Sequence, residues 1–118
     1  MSTQSQNNFI ESTKKVQTRL AEIGFIYQST INKGYATYID FILADKSQLT
    51  FMYGPSDWNV EILLNTKKKS YAFKDLMEIP SVAHWVKANQ FKSRTNNRVR
   101  DELDWFVELI TFVVKEKS

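Results

Sequence analysis

Apolar residues near the start of the chain recur at helical spacing. Phe9, Thr13, Val16, Leu20 and Ile23 follow one another at intervals of 4, 3, 4 and 3, which stacks them on one helical face. Lys14, Lys15, Gln17, Thr18 and Glu22 lie off that face. Asn7 or Asn8 is placed to cap the helix at its start. Gly24 suits a left-handed stop, and Phe25 is the apolar residue that folds back on the last turn.

The period then shortens to two. The runs FIYQSTI (25–31), YATYIDFIL (35–43), SQLTFMY (47–53), WNVEILL (58–64) and SYAF (70–73) are rich in β-branched and aromatic residues. Turn chemistry separates them: NKG at 32–34 suits a three-residue hairpin with Gly34 at positive φ, and ADKS, GPSD and NTKKK suit longer loops. Connections this short join antiparallel neighbours. Ile39, Phe41, Leu43, Leu49, Phe51, Tyr53, Val60, Ile62 and Leu64 fall on one face by alternation. Asp40, Gln48, Thr50, Asn59 and Glu61 fall on the other, the pattern of a sheet with one buried and one wet face.

Helical spacing returns after residue 73. FKDLMEI predicts a short turn, Pro80 a break, and Ser81 a cap for a helix placing Val82, Trp85, Val86 and Asn89 together. A last helix begins near Asn96 or Asn97 and runs to about Lys115. Val99, Leu103, Phe106, Ile110 and Val113 form its main stripe, while Trp105, Leu109 and Phe112 form a second. Asp101, Asp104 and Glu108 take the polar side. A helix with two apolar stripes needs two neighbours, and a helix of the same chain is the preferred second one over a dimer contact. The expected fold is α+β: an antiparallel meander of four to five strands, with an N-terminal helix and two C-terminal helices on one face. Residues 1–7 read as a flexible tail, and 8–118 as a single domain.

Composition agrees with a folded domain. The chain has 118 residues, 42% hydrophobic and 25% charged, with a net charge of +3. Absence of cysteine removes disulfides, thiolate metal sites and cysteine nucleophiles. The start, MSTQSQNN, lacks the basic residues and apolar run of a secretory signal. The longest apolar stretch, Trp105 to Val114, is interrupted by Glu108 and Thr111 and is too short to span a bilayer. A cytoplasmic, non-membrane protein is expected.

Charge distribution is more informative than net charge. Lys87 to Arg100, KANQFKSRTNNRVR, holds five cations and no anion. Lys87 and Lys92 sit near a helix C-terminus, where the backbone dipole favours them. Arg98 and Arg100 open the next helix, where it opposes them, yet Glu102 and Asp104 stand four residues on from each. Such pairs are worth about 0.2–0.5 kcal/mol, comparable with the dipole penalty, so local pairing explains the arginines without a ligand. Phe91 reads as the loop's anchor to the core rather than a base-stacking platform. The single histidine, His84, has no nucleophile or ligand set around it in the sequence. Asp40 and Glu61 share the wet face, but a carboxylate pair acts as acid and base only when close. YGPSDW lacks the nucleophile-elbow pattern, and no phosphate-binding glycine motif is present. No cofactor or metal is therefore expected.

The wet face is the more promising surface. Tyr38, Ile42, Met52 and Leu63 lie there among Asp40, Thr50, Asn59 and Glu61, the mixture found at protein interfaces. The plain alternative is cover by a loop or terminus of the same chain.

The order of elements is a helix ending in GF, a meander with YIDFIL and WNVEILL, then YAFKDLMEI and closing helices. It resembles a loose family of small bacterial domains, some of them immunity proteins that neutralise a toxin by binding it. That resemblance implies a binding role and carries no site residue with it. The expected function is a non-enzymatic protein-binding domain, an immunity- or antitoxin-like inhibitor that occludes its partner. Its surface is either Tyr38, Asp40, Met52, Asn59 and Glu61, or the basic set Lys92, Arg94, Arg98 and Arg100. The alternative is a nucleic-acid accessory protein using Lys67–Lys69 and the 92–100 stretch. A third class, a small-molecule binder or enzyme, requires a deep pocket between sheet and helices. Either a monomer or a homodimer fits.

Overall fold

The computed structural model describes residues 4–33, 36–54 and 60–117. Helix α1 (Gln4–Glu22) leads into five strands, β1 (Ile26–Asn32), β2 (Thr37–Ile42), β3 (Gln48–Tyr53), β4 (Val60–Asn65) and β5 (Ser70–Ala72). Helices α2 (Phe73–Leu76), α3 (Pro80–Ala88) and α4 (Arg98–Lys117) follow. The strands form one antiparallel sheet in sequence order. The fold is the expected α+β meander, with five strands.

Each boundary has a local cause. Gly24 adopts φ +97°, and the Phe25 and Gly24 N–H groups donate back to Leu20 and Ala21 carbonyls, stopping α1. A Cβ on Gly24 would also sit 3.0 Å from a Leu43 methyl. At the other end α1 begins at Gln4, so neither Asn7 nor Asn8 is its cap. Asn8 instead exchanges two amide hydrogen bonds with Asn97, of 2.9 and 2.8 Å. The last helix begins where expected, after Asn97, which caps α4 by accepting the Arg100 N–H at 3.1 Å. Ser81 is not the α3 cap: Ile79 holds that position and Pro80 starts the helix, where its missing N–H costs nothing. Phe73 belongs to α2 rather than β5, because the Asp75 carboxylate accepts the Ala72 N–H and turns the chain into a helix. Gly34 and most of GPSD lie outside the described residues.

One sheet face carries the core. Phe9 stacks on Tyr53 with centroids 5.3 Å apart, and Phe41 meets Phe51 edge-on at 6.0 Å. Leu20, Leu49, Ile62, Leu76, Leu103 and Ile110 are fully buried with them. Both α4 stripes find neighbours within the chain: Val99, Leu103, Phe106, Ile110 and Val113 are buried, and Trp85 of α3 packs on Trp105 and Phe112. The Trp105 indole N–H donates to the Asn89 carbonyl at 2.6 Å, tying α3 to α4. Arg19 reaches Asp104 at 3.1 Å, so α1 and α4 are clasped at two levels.

Candidate interaction surface

The strand register sorts the outer face into rows. Ile31, Tyr38, Met52 and Glu61 lie side by side; Ser29, Asp40, Thr50, Leu63 and Ala72 form the next row. A third row runs Ile26, Ile42, Gln48, Asn65 and Ser70. Among the described residues, no helix packs over these rows. Asp40 sits at the centre, taking hydroxyl hydrogen bonds from Ser29 at 3.2 Å and Thr50 at 2.6 Å. Those neighbours bury Thr50 despite its outward direction. Lys33 lies over the Tyr38 ring at 5.7 Å. Glu61 is exposed. Two strands and two residues separate Asp40 from Glu61, about 12 Å at strand spacing and rise. They cannot share a proton as a dyad. Asn59 lies outside the described residues.

The basic residues do not form one patch. Lys92 and Arg94 line a small cleft shared with Asp101, Asp104 and Glu108, so both signs of charge meet there. Arg98 points to the opposite flank of α4 and pairs with Glu102 at 3.7 Å, while stacking over Phe91 at 6.0 Å. Phe91 packs edge-on against Trp105 and anchors the loop. Arg100 is exposed, and its expected partner Asp104 is taken by Arg19. His84 is exposed on α3.

The structure joins residues from the two alternatives. Met52, Glu61 and Leu63 of the sheet line a cleft of about 450 Å³ with Phe73, Lys74, Arg98, Glu102 and Phe106. This cleft opens where β5 ends: among the described residues β5 pairs with Leu63, Leu64 and Asn65 and does not extend along Val60 to Ile62. The Thr66 N–H donates to Lys69, so even-numbered β4 residues direct their backbone toward the β5 side. Glu102 closes part of that edge by accepting the Val60 N–H at 3.3 Å.

Asp101 and Glu102, adjacent in sequence, have opposite electrostatics. The Asp101 carboxylate accepts the Thr95 and Arg94 N–H groups and the Ser93 hydroxyl, each at 2.9 Å, and the Thr95 hydroxyl at 3.1 Å. The Thr95 N–H foremost, with the other donors, outweighs burial and holds its pKa below the ordinary aspartate value. Asp101 is therefore no surface acid, contrary to its expected place on the polar side; it organises the 93–95 loop. Glu102 goes the other way: burial raises its pKa, and the Val60 N–H and Arg98 offset this only partly. Neither role shows in the sequence, because the Asp101 partners are backbone groups of an irregular loop and Val60 is 42 residues away.

A wider hollow of about 610 Å³ lies at the other end of the sheet, lined by Phe25, Leu43, Leu64, Tyr71, Val113 and Val114 and rimmed by Lys67, Lys68 and Asp45. Among the described residues no three His, Asp or Glu side chains gather as metal ligands would. None of their helices is long and apolar enough to cross a membrane. Compared with protein-family models, curated proteins and solved structures, the chain matches none.

Proposed function

We propose that this chain is a non-enzymatic protein-binding domain that blocks a partner protein by covering it, in the manner of an immunity or antitoxin-like inhibitor. One observation carries the reading: on the outer face of a five-stranded sheet Tyr38, Ile42, Met52 and Leu63 stay partly exposed among Asp40 and the exposed Glu61. The helices on the other side hold these strands rigid, so little ordering entropy is lost on docking. Apolar side chains at the centre exclude water, and the Glu61, Lys74 and Arg98 charges around the adjoining cleft select the partner by complementarity.

The test is capture from cells of the source organism, identification of the captured protein, and reassembly from purified components. Met52→Asp and Glu61→Lys should each weaken the reassembled complex at least about tenfold, while Arg94→Glu, on the far flank of α4, leaves it unchanged. Inhibition of the partner should follow binding across the variants. Binding that ignores both sheet variants and fails with Arg94→Glu rejects the surface. Capture of nucleic acid that weakens steeply with salt would favour the accessory-protein alternative.

A further inference from the structure

The two edges of the sheet are protected very differently. The β5 edge is three residues long, is flanked by Lys67–Lys69 and Lys74, and turns directly into α2. The β1 edge is seven residues long, IYQSTIN, with no charge and no proline. Six of those seven residues are exposed. The large apolar side chains that stand exposed among the described residues, Ile26 (58%), Tyr27 (43%) and Ile31 (46%), are all on β1. Natural edge strands are normally blunted by lysine, proline or a covering element, because an open edge is a template for another strand.

The backbone of β1 shows how another strand would join. The Lys33 N–H donates to the Ala36 carbonyl, so odd-numbered residues from Ser29 on direct their backbone groups at β2. Thr30, opposite Ile39 in the ladder, therefore directs its N–H and carbonyl outward. The bulge between Tyr27 and Ser29 shifts the ladder by one residue, leaving the segment from Ser29 as the regular part of the edge.

We infer that β1 pairs with β1 of a second copy about a two-fold axis through Thr30, making a continuous ten-stranded sheet. In this register each Thr30 N–H donates to the partner's Thr30 carbonyl. Ile31 lies across from the partner's Ser29, both on the outer face, so no side chain changes sides. The occupant is a second copy because the edge itself specifies one. A charged strand meets no complementary charge on IYQSTIN, whereas an uncharged, β-branched segment meets no penalty, and this chain supplies that segment. Two-fold pairing of a charged strand opposes like charges; β1 itself carries none, and Lys14 of α1, which lines the hollow beside Thr30, is paired with Glu11 at 3.3 Å. The rows of both outer faces then run on into one another. This pairing stands apart from the occlusion reading, because it is carried by β1 and not by the outer face.

Sedimentation of the purified chain from micromolar to millimolar concentration tests this directly. A monomer–dimer equilibrium is expected, with the Thr30 amide gaining protection from hydrogen exchange as the dimer forms. Thr30→Pro removes an N–H that the β2 ladder does not use, and edge positions of this kind accept proline. Ile31→Lys places a guarding charge on the edge. Each should weaken the dimer at least about tenfold while circular dichroism and the unfolding midpoint stay close to those of the unaltered chain. Should the proline variant misfold, the lysine variant still decides. A chain that stays monomeric at millimolar concentration overturns the inference. So does a dimer that Ile31→Lys leaves intact, or protection of Thr30 that appears only when a foreign protein is added.

Discussion

The two faces of the sheet are made by the same five strands and meet different fates. Phe41 and Phe51 point inward and are fully buried; Asp40 and Met52, each one residue away, point outward and remain partly exposed. Inward residues have helices α1 and α4 to bury against, and each contributes to holding the fold. Among the described residues, outward side chains meet chiefly their neighbours on the sheet, with α2 and α4 reaching Met52 and Leu63 at the rim of the cleft. Burying the apolar members of those rows would release free energy that folding has not used, at about 25 cal/mol per Å² of apolar surface. A face left in this condition is available for association, and that is the physical content of the functional proposal.

The largest effect that tests the contrast is a cavity on the covered face. Phe51→Ala removes a ring that is fully buried and edge-on to Phe41, and should cost about 3–5 kcal/mol of unfolding free energy. Met52→Ala, its neighbour on the open face, should cost less than about 1 kcal/mol. Urea unfolding of the two variants measures both. Equal losses would mean that the open face is packed in solution, by a second copy or another segment, and the contrast would fail.

A smaller effect concerns how the helical layer joins the sheet, and it shows in the dependence on pH. The Asp101 pKa is depressed in the folded chain, so its carboxylate stabilises the fold above the ordinary aspartate pKa. That contribution is lost as pH falls through the depressed folded value. Asp101→Asn should therefore be less stable at neutral pH, with the difference closing in acid. Glu102 has the opposite sign. Its folded pKa is raised, so the folded chain binds this proton more tightly than the unfolded chain, and stability declines as pH rises from the ordinary value through the raised one. Glu102→Gln keeps an acceptor for the Val60 N–H and should be at least as stable as the parent at neutral pH, with the advantage vanishing in acid. Unfolding midpoints of both variants across the acid range give the two slopes; slopes of the same sign would refute the assignment.

The covered face was legible in the sequence because burial leaves a period. Alternation over 39–43, 49–53 and 60–64, and the 4-3-4-3 stripes of α1 and α4, record one-sided burial directly. The meander was legible because its connections are short and rich in turn residues. The open face was legible only in part. Its membership follows from alternation, but its rows depend on register, and register brought Met52 and Glu61 beside Arg98, which the sequence places on a rival surface. On β1 the bulge breaks the period, so Tyr27 and Thr30 share the helix side although three residues apart, joined by a 2.7 Å hydroxyl contact. The Arg100–Asp104 pairing failed for a related reason. A spacing of four makes a pair possible, but Arg19, distant in sequence, occupies the carboxylate. Polar contacts between distant segments leave no period to read.

The smallest effect belongs to the open face itself. Glu61 is exposed and pairs across the ladder with Met52, so Glu61→Lys removes no buried contact. It should change stability by no more than about 0.5 kcal/mol. The sign is still fixed, because Lys74 and Arg98 line the same cleft and a third cation there is repelled by both. The change should be a slight loss at low ionic strength, shrinking as salt shortens the screening length. Unfolding midpoints at low and high salt measure it. Partner binding should respond in the opposite proportion, because docking removes the solvent that screens Glu61 in the free chain and leaves the reversed charge facing its complement at close range. A loss of stability as large as that of a core variant would show that Glu61 supports the fold rather than the surface. A small loss of stability together with a large loss of binding is the signature expected of a face that the fold presents without depending on it.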